Sequence, residues 1–226
     1  MNTLSKIFTF FRKQSTLPSV QAYQQWAANY PATAHNLLMQ VEHTAMLNLM
    51  PEVKERRVLD LASGTGRWGQ WASTQGANIV IGCDNSVAML NHSALIYRVL
   101  ATVTAIPLPS ASIDIILYGL AVGHSQTLKD VLTEVSRVLS IGGVALISDF
   151  HPALAWQGAQ RTFQGQDGKT YAVEHYVHRY ADWFAASQAA GLRITGVEEP
   201  HRPDQPHTAP IVFVLRLEKD SAMMNP

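Results

Sequence analysis

Apolar residues recur along this chain in short runs that alternate with segments of helical periodicity. Runs of aliphatic and β-branched residues predict strands at five places, at residues 57–61, 78–83, 98–102, 113–118 and 143–148. Helical stretches lie between most of these runs. This order is typical of a mainly parallel sheet with helices on both faces. We therefore expect an α/β fold with a doubly wound, Rossmann-like sheet.

Two helices are predicted ahead of the first strand, at residues 20–30 and 36–50, and Pro51 ends the second. The clearest helix covers residues 128–139, where valines and leucines recur on one face. Another is predicted at residues 181–190, stopped by Gly191. The strands predicted at 192–197 and 210–217 have no helix between them, so we expect an antiparallel pair at the end of the sheet.

Residues 151–180 interrupt the alternation of strands and helices. This segment is rich in glycine, aromatic residues and histidine. We interpret it as an insertion that covers a site. The predicted organisation is an N-terminal helical lid at 1–50, followed by one domain at 51–226 that carries the insertion.

Charge and cysteine usage narrow the class of protein. Lys+Arg and Asp+Glu are both 17, and this balance argues against nucleic acid as a partner, because phosphate contacts need a basic surplus. Cys83 is the only cysteine, which excludes an intrachain disulfide and fits a reducing, cytoplasmic setting. No apolar run approaches the ~20 residues that span a bilayer, so stable membrane insertion is not expected. Oligomeric state has no signal in the sequence.

The N-terminal segment carries Lys6, Arg12 and Lys13 among apolar residues, before the first acidic residue at Glu42. It could act as a weak transit peptide or as a helix that touches membranes. We favour an exposed chain start.

A glycine-rich turn follows the first strand, in the sequence VLDLASGTGRWG at residues 58–69. Glycine allows a sharp turn and a close approach to a ligand, and the helix that begins near Arg67 presents unpaired N–H groups to an anion. Asp84 stands 20 residues after Gly64, at the end of the second strand. An acid in that place can bind ribose hydroxyls. Together these features predict a ligand that contains adenosine.

The spacing of Gly64, Gly66 and Gly69 also fits a dinucleotide fingerprint, so an NAD(P)-dependent oxidoreductase is an alternative. Asp60 argues against it, because a carboxylate would face a diphosphate with like-charge repulsion. A ligand with ammonium and sulfonium groups suits Asp60 better.

These motifs resemble those of class I S-adenosylmethionine-dependent methyltransferases. VLDLASGTGRWG is similar to their first motif and IGCDNSVAML to their second, while AIPLPSASIDIILYGLAVGH and LTEVSRVLSIGGVALISDFHP resemble the regions of their fourth and fifth strands. The resemblance covers residues 20–150 and is greatest to the methyltransferase type 11 group, near ubiquinone/menaquinone and malonyl-carrier-protein methyltransferases. It implies a seven-stranded sheet with the last strand antiparallel, and S-adenosyl-L-methionine as the cofactor.

The resemblance also implies which residues bind the cofactor. Around its methionine part we expect Asp60, Ala62, Gly64 and Gly66; at the ribose, Asp84; near the adenine, Asn85 and Met89; and on the other side, Gly119. The family usually has an Asp five residues before the proline equivalent to Pro107, and here that position is Thr102. The Thr102 hydroxyl or the Val103 backbone would then contact the adenine, and weaker binding of the cofactor is expected.

Methyl transfer needs an aligned nucleophile and, for some acceptors, a base. His124 and His151 follow the fourth and fifth strands, at the edge of the sheet where ligands bind. We expect them to act as a base or to orient the acceptor, although each could simply line the pocket. Tyr23 and Tyr30 on the lid helix and His178 in the insertion are candidate acceptor contacts. No metal site is predicted, because His175 and His178 lack a third ligand at suitable spacing.

The predicted reaction is therefore methyl transfer to a small-molecule or carrier-bound acceptor, with an oxygen acceptor slightly favoured. A non-catalytic methyltransferase-like binding protein is the other alternative.

Overall fold

The computed structural model describes residues 14–220. A β-sheet lies at the centre of the fold. In chain order the strands are β1 (Ser15–Leu17), β2 (Arg57–Leu61), β3 (Ile79–Asp84), β4 (Tyr97–Leu100), β5 (Ile113–Gly119), β6 (Leu139–Phe150), β7 (Thr162–Gln164), β8 (Thr170–Val173), β9 (Leu192–Glu198) and β10 (Val212–Lys219).

Seven α-helices and two short 3₁₀ helices connect the strands in this described part. The α-helices are α1 (Ser19–Trp26), α2 (Leu37–Asn48), α3 (Arg67–Thr74), α4 (Val87–Asn91), α5 (Leu128–Val138), α6 (Pro152–Trp156) and α7 (Tyr180–Ala189), and the 3₁₀ helices are Ala27–Asn29 and Val122–His124.

Seven strands form the main sheet, in the order β4-β3-β2-β5-β6-β10-β9. The neighbours from β4 to β6 are all parallel, whereas β10 runs antiparallel to both β6 and β9. The predicted doubly wound sheet, with its antiparallel last strand, is confirmed.

Helices cover both faces of this sheet. On one face, the valines and leucines of α5 pack with Trp183 of α7 against β2, β5 and β6. On the other face, Val41 and Met46 of α2 and Trp68 of α3 pack against the same central strands. Because both faces are buried, the central strands are apolar runs rather than alternating ones.

The structure moves some predicted boundaries. β6 begins at Leu139, directly after α5, and so extends the strand predicted at 143–148 in both directions. A register shift between Ile113 and Ile115, together with Gly142 at a φ of 74°, absorbs the turn into the sheet. No loop separates the helix from the strand. The apolar pattern alone therefore placed the start of the strand several residues too late.

A smaller sheet joins the N-terminal segment to the insertion. Its order is β1-β8-β7, with β1 parallel to β8 and β7 antiparallel to β8. Ala22 of α1 packs there with Phe163 and Val173. The predicted lid helix and the predicted insertion therefore form one packed unit.

Within the predicted lid, α1 and α2 have different positions. α1 packs on the small sheet, whereas α2 packs on the main sheet. Residues 1–13, on which the transit-peptide and membrane hypotheses depend, lie outside the described residues. No helix between residues 14 and 220 combines the length and the apolar character needed to cross a membrane.

Candidate active site

A cavity lies at the carboxyl ends of β2, β3 and β5, the edge of a parallel sheet where ligands bind. Helix α1 and Tyr30, which directly follows the first 3₁₀ helix, contribute to its wall. The lining consists of Ser19, Tyr23, Tyr30, Asp60, Ala62, Ser63, Gly64, Thr65, Arg67, Trp68, Asp84, Asn85, Met89, Val103, Tyr118, Gly119, Leu120, Ala121, His124 and Ser125. We call this space the nucleoside cavity.

The turn after β2 is held in left-handed backbone conformations. The φ angle is 52° at Ala62, 54° at Gly64 and 86° at Gly66. A Cβ on Gly66 would lie 2.7 Å from the Ser93 Oγ atom and 2.9 Å from a Leu95 carbon. Glycine is therefore required at residue 66 by both its backbone angle and its neighbours.

A second strained residue stands across the cavity. Leu120 has a φ of 56° directly after β5 and is 6% exposed. Left-handed backbone at a residue that carries a side chain is uncommon and clusters at ligand sites. Ala62 and Leu120 both line the nucleoside cavity, and this placement marks it as a binding site.

Asp60 lies on the floor of the cavity and is 2% exposed. Its Oδ2 atom accepts a hydrogen bond of 2.7 Å from the Gly69 backbone N–H. Burial raises the pKa of Asp60 to about 8, and the nearby carboxylates of Asp84 and Glu42 add to the rise while Arg67 opposes it. A cationic ligand beside Asp60 would favour its charged form.

Asp84 ends β3 and shapes the glycine-rich turn. Its Oδ2 atom accepts a hydrogen bond of 2.8 Å from the Gly64 N–H, and its Oδ1 atom accepts one of 2.8 Å from the Ser86 N–H. Burial raises the pKa of Asp84, and the backbone N–H donors lower it. This carboxylate therefore fixes the turn while it lines the cavity.

Arg67 and Glu42 form an ion pair of 2.8 Å beside the cavity, and Glu42 is fully buried. Glu42 also accepts hydrogen bonds from the Trp68 indole and from the Ser148 hydroxyl. With Asp60 and Asp84, this group holds three carboxylates and one guanidinium. When they are ionised, the excess is negative and suits a ligand with positive charge.

Three polar atoms of the lining residues are buried without a hydrogen-bond partner among the described residues. They are the Ser63 Oγ atom, the Arg67 Nη1 atom and the Tyr118 hydroxyl. Buried polar atoms are nearly always paired, so a ligand with polar groups fits this cavity. A carboxylate near Arg67 and ammonium or sulfonium groups near Asp60 would match these charges.

His124 lines the cavity at the end of β5, but both of its ring nitrogens are engaged. The Nδ1 atom lies 2.8 Å from the Glu174 carbonyl, and the Nε2 atom lies 3.0 Å from the Tyr23 hydroxyl and 3.2 Å from Arg161 Nη1. The carbonyl can only accept, so Nδ1 carries the proton and Nε2 accepts. Burial, followed by the charge of Arg161, lowers the pKa of His124 to about 4. No lone pair of this ring is free to accept a proton.

Most of the expected cofactor contacts come together in the nucleoside cavity. Of the expected set, Gly66 and Thr102 lie outside the lining. Gly66 faces Ser93 and Leu95. Thr102 is exposed, and its hydroxyl lies 3.4 Å from that of Thr104. Val103 lines the cavity in its place.

Among the expected acceptor contacts and bases, Tyr23, Tyr30 and His124 line the cavity, whereas His151 and His178 do not. His151 Nδ1 accepts a hydrogen bond of 3.1 Å from the Ala153 N–H and so caps α6, and its Nε2 atom lies 2.8 Å from Glu199. His178 Nε2 donates to the Ser125 carbonyl at 2.9 Å. Hydrogen bonds to neighbouring segments turn both rings away from the cavity.

A second cavity meets the first at Tyr30 and Leu120, which line both. It has a volume of about 570 Å³, within the range of small-molecule sites. Its other lining residues are Trp26, His35, Asn36, Leu37, Leu38, Met39, Phe150, Leu154, Gln160, Arg161, Thr162, Arg202 and Ile211. We call this space the apolar cavity.

Sequence reasoning missed Arg161, which lines the apolar cavity, and Glu42, which pairs with Arg67 of the nucleoside cavity. Glu42 had a signal, since it is the first acidic residue of the chain and lies in an apolar helix. Arg161 had none, because the insertion shows no periodicity that would place one of its residues. Its neighbours come from three separate segments, which contain Tyr23, Leu120 with His124, and Asp149.

The strand order, the glycine-rich turn and the negatively charged cavity together define a nucleoside-binding α/β protein whose ligand carries positive charge. Comparison with known proteins agrees. Residues 59–147 match the family model described as "Methyltransferase domain". The chain is 32% identical over 187 residues to the malonyl-[acyl-carrier protein] O-methyltransferase of Salmonella typhimurium, a match that covers 74% of each protein. It belongs to the class I S-adenosylmethionine-dependent methyltransferases.

Two further comparisons bear on this family. The malonyl-[acyl-carrier protein] O-methyltransferase of Enterobacter lignolyticus is 32% identical over 133 residues, which are 54% of this chain and 53% of that protein. The chain thus spans about half of the length of that relative. An S-adenosylmethionine-dependent methyltransferase of Mesorhizobium loti has the same fold, with a TM-score of 0.68 at 22% identity over 81% of this chain and 100% of that one.

Family membership confirms methyltransferase as the class of enzyme and S-adenosyl-L-methionine as the cofactor. The oxidoreductase alternative is therefore wrong. The sequence argument against it depended on the carboxylate of Asp60, since the fold alone is compatible with either ligand.

Proposed function

We propose that this enzyme transfers a methyl group to a carboxylate oxygen of a small or carrier-bound acid and so forms a methyl ester. The engaged ring of His124 carries the proposal. A hydroxyl or amine acceptor must lose a proton, but the histidine that lines the cavity accepts hydrogen bonds through its Nε2 atom. A carboxylate is already deprotonated near neutral pH and needs no base.

The names of the relatives support the same acceptor class. Two of them are described as malonyl-[acyl-carrier protein] O-methyltransferases. An acid on a carrier arm would bring its carboxylate to the cofactor. This proposal includes no nucleic-acid partner, consistent with the balanced charge of the chain. A cytoplasmic setting, expected from the single cysteine, belongs to this proposal.

The cavity residues divide the work of holding the cofactor. We assign Asp60 and Arg67 to the charged groups of its methionine part, Asp84 and Asn85 to the ribose, and Met89 and Val103 to the adenine. When bound, S-adenosyl-L-methionine supplies a methyl carbon that its sulfonium group activates.

With the cofactor bound, the acceptor oxygen would form the new bond to that carbon, and the broken carbon–sulfur bond would leave its electron pair on sulfur. No proton moves in this step. The protein therefore contributes alignment and exclusion of water, and Tyr23 and Tyr30 are placed at the cavity wall to provide both.

The test is transfer of a radiolabelled methyl group to a panel of acceptors. We expect label in malonyl thioesters of coenzyme A and of a carrier protein, in a product that mild alkali hydrolyses. The analogue in which an amide replaces the free carboxylate of the malonyl group should take no label. Label only in amine, phenol or carbon acceptors would overturn the ester proposal. Cofactor binding without label in any acceptor would instead favour a non-catalytic binding protein. The Asp84→Ala variant, which should lose cofactor binding, is the control.

A further inference from the structure

We propose that the apolar cavity is the acceptor site and that Arg161 selects acceptors that carry a carboxylate. This inference rests on the proposed function and deepens it, because it names the residue that would recognise the acid. The cavity, the guanidinium on its wall and its junction with the nucleoside cavity are three separate observations that support it.

The position of the apolar cavity suits an acceptor. Tyr30 and Leu120 belong to both linings, so a ligand there would lie next to the bound cofactor. Most of the wall is apolar, with Leu38, Leu154 and Ile211 among its members. An acyl chain or a thioester arm fits such a wall better than a sugar or a nucleobase.

Arg161 supplies a buried cationic group in this largely apolar wall, whose other arginine, Arg202, is half-exposed and paired with Asp204. Its side chain is 10% exposed. The Nη1 atom donates to the Leu120 carbonyl at 2.6 Å and to the Tyr23 hydroxyl at 2.8 Å. In the described part of the chain, Nε forms no hydrogen bond, and Nη2 has only an ion-pair contact of 3.8 Å with Asp149. The Nε–Nη2 edge presents two parallel N–H donors, which can bind a carboxylate with two hydrogen bonds.

The charge balance around Arg161 leaves room for this contact. The Asp149 oxygens accept hydrogen bonds from the backbone N–H groups of Gly123 and Phe150, which draws the carboxylate away from the guanidinium. The Phe150 ring covers one face of Arg161, at 4.6 Å from its centre. A buried guanidinium with spare donors favours an anionic ligand.

Arg161 also connects acceptor recognition with the cofactor. Through its Nη1 atom it contacts Leu120, Tyr23 and His124, three residues that line the nucleoside cavity. A carboxylate on its other edge would therefore lie at the junction of the two cavities. An oxygen nucleophile at that junction would lie beside the nucleoside cavity, from which the methyl group would come.

The test measures acceptor binding separately from turnover. Calorimetry with malonyl-coenzyme A, in the presence of the demethylated cofactor, gives the Kd of the acceptor, and methyl-transfer assays give KM and kcat. The Arg161→Gln variant should raise Kd and KM by about tenfold to a hundredfold, since a charge-assisted contact is lost. Acetyl-coenzyme A, which lacks the carboxylate, should bind the wild type and this variant with equal affinity.

A second variant tests the cavity without touching the guanidinium. Leu154→Trp should fill the apolar cavity and raise KM by at least tenfold, while Kd for the demethylated cofactor stays within twofold. The matched controls are Leu47→Trp on the exposed side of α2 and Arg193→Gln on β9, and both should leave KM unchanged. Free malonate, malonyl-coenzyme A and a malonyl carrier protein then distinguish a free acid from a tethered one.

The outcomes separate the two proposals. If the wild type forms the ester but both variants keep the wild-type KM, the acceptor site is wrong and the ester proposal stands. If no ester forms but malonyl-coenzyme A binds and both variants weaken that binding, the acceptor site stands without the ester. If Arg161→Gln weakens cofactor and acetyl-coenzyme A as strongly as malonyl-coenzyme A, Arg161 has only a structural role and the inference fails.

Discussion

Asp60 shows how one buried side chain can be suited to its ligand. Its carboxylate is 2% exposed and receives one backbone hydrogen bond. Because burial outweighs that bond, the pKa rises to about 8. The free enzyme therefore holds Asp60 mainly protonated below that pH, and a cationic cofactor must favour its ionisation.

Cofactor affinity should therefore depend on pH through Asp60. From pH 6 to pH 8 we expect the Kd of S-adenosyl-L-methionine to fall, by at most about tenfold per pH unit, as the cost of removing the proton decreases. The Asp60→Asn variant should bind more weakly and lose most of this dependence. Calorimetry at several pH values measures both, and an equal slope in the two proteins would contradict the assignment.

For His124, the sequence indicated the position of the residue but not the environment that determines its protonation. Its position after β5 was predicted correctly, and the structure places it at the cavity. Its pKa of about 4 and its engaged nitrogens depend on Tyr23, Arg161 and Glu174. These partners lie between 37 and 101 residues away in the chain, and no local pattern could reveal them.

Replacement of His124 should therefore have a small effect on catalysis. We expect His124→Gln to lower kcat by less than about tenfold at saturating cofactor, whereas loss of a general base costs roughly 10²–10⁴-fold. Between pH 6 and pH 8, kcat of the wild type should show no titration near 6.5. Steady-state assays on the acceptor identified above provide the measurement, and a thousandfold loss would restore the base hypothesis. Tyr97→Phe, on the exposed strand β4, serves as a distant control.

At the scale of elements, α1 is the helix whose role the sequence described only in outline. The sequence predicted a helix at residues 20–30, with Tyr23 and Tyr30 as candidate acceptor contacts. The structure packs Trp26 against Phe163 of the insertion, with ring centres 5.4 Å apart, and stacks it on Tyr23 at 5.9 Å. The lid hypothesis stays a prediction. We call Trp26 the anchor of the lid, because its ring contacts Phe163 of the insertion.

The Trp26→Ala variant tests whether this anchor matters for binding. We expect the Kd of the cofactor to rise about tenfold, because Tyr23 and Tyr30 would lose the ring that positions them. Trp26 packs on the small sheet and not in the cores of the main sheet. The Tm should therefore change much less than after truncation of a residue in those cores. Trp156→Ala on α6, a residue that is 66% exposed, is the matched control. Unchanged affinity in the Trp26 variant would contradict the lid role.

The main elements were largely predictable because their signals are local. Strands β2 and β5 and helices α2 and α5 are strong runs or strong periods, and a chain order of alternating elements restricts the sheet topology. The small sheet was not predictable. It joins Ser15–Leu17 to Thr170–Val173, and strands of three or four residues carry too little pattern to indicate a pairing so distant in sequence.

For the whole molecule, the buried ionisable groups predict how stability depends on pH. Asp60 has a folded pKa of about 8 against roughly 3.9 when unfolded, so stability is lost as pH rises from about 4 to 8. His124 has a folded pKa of about 4 against roughly 6.5 when unfolded, so stability is lost as pH falls from about 6.5 to 4. Of these two groups, only Asp60 titrates above pH 6.5.

The free enzyme should therefore become less stable between pH 6.5 and pH 8. We expect a loss of at most about 2 kcal/mol over this interval, since one pH unit corresponds to about 1.4 kcal/mol for one proton. Urea unfolding without cofactor measures the loss, and Asp60→Asn should largely remove it. Stability that rises over this interval in the wild type would show that Asp60 is ionised in the free protein.

By itself, the sequence determined the class of fold, the cofactor and the edge of the sheet at which the nucleoside cavity lies. Apolar runs, the glycine-rich turn and the acids at residues 60 and 84 act locally, and each has few physical solutions. Only the tertiary structure decided that both ring nitrogens of His124 have hydrogen-bond partners, that His151 and His178 lie outside the lining, and that Arg161 joins the wall of the apolar cavity to residues of the nucleoside cavity. Burial and charge at these residues come from segments far apart in the chain, and their effect exists only once folding has excluded water from the space between them.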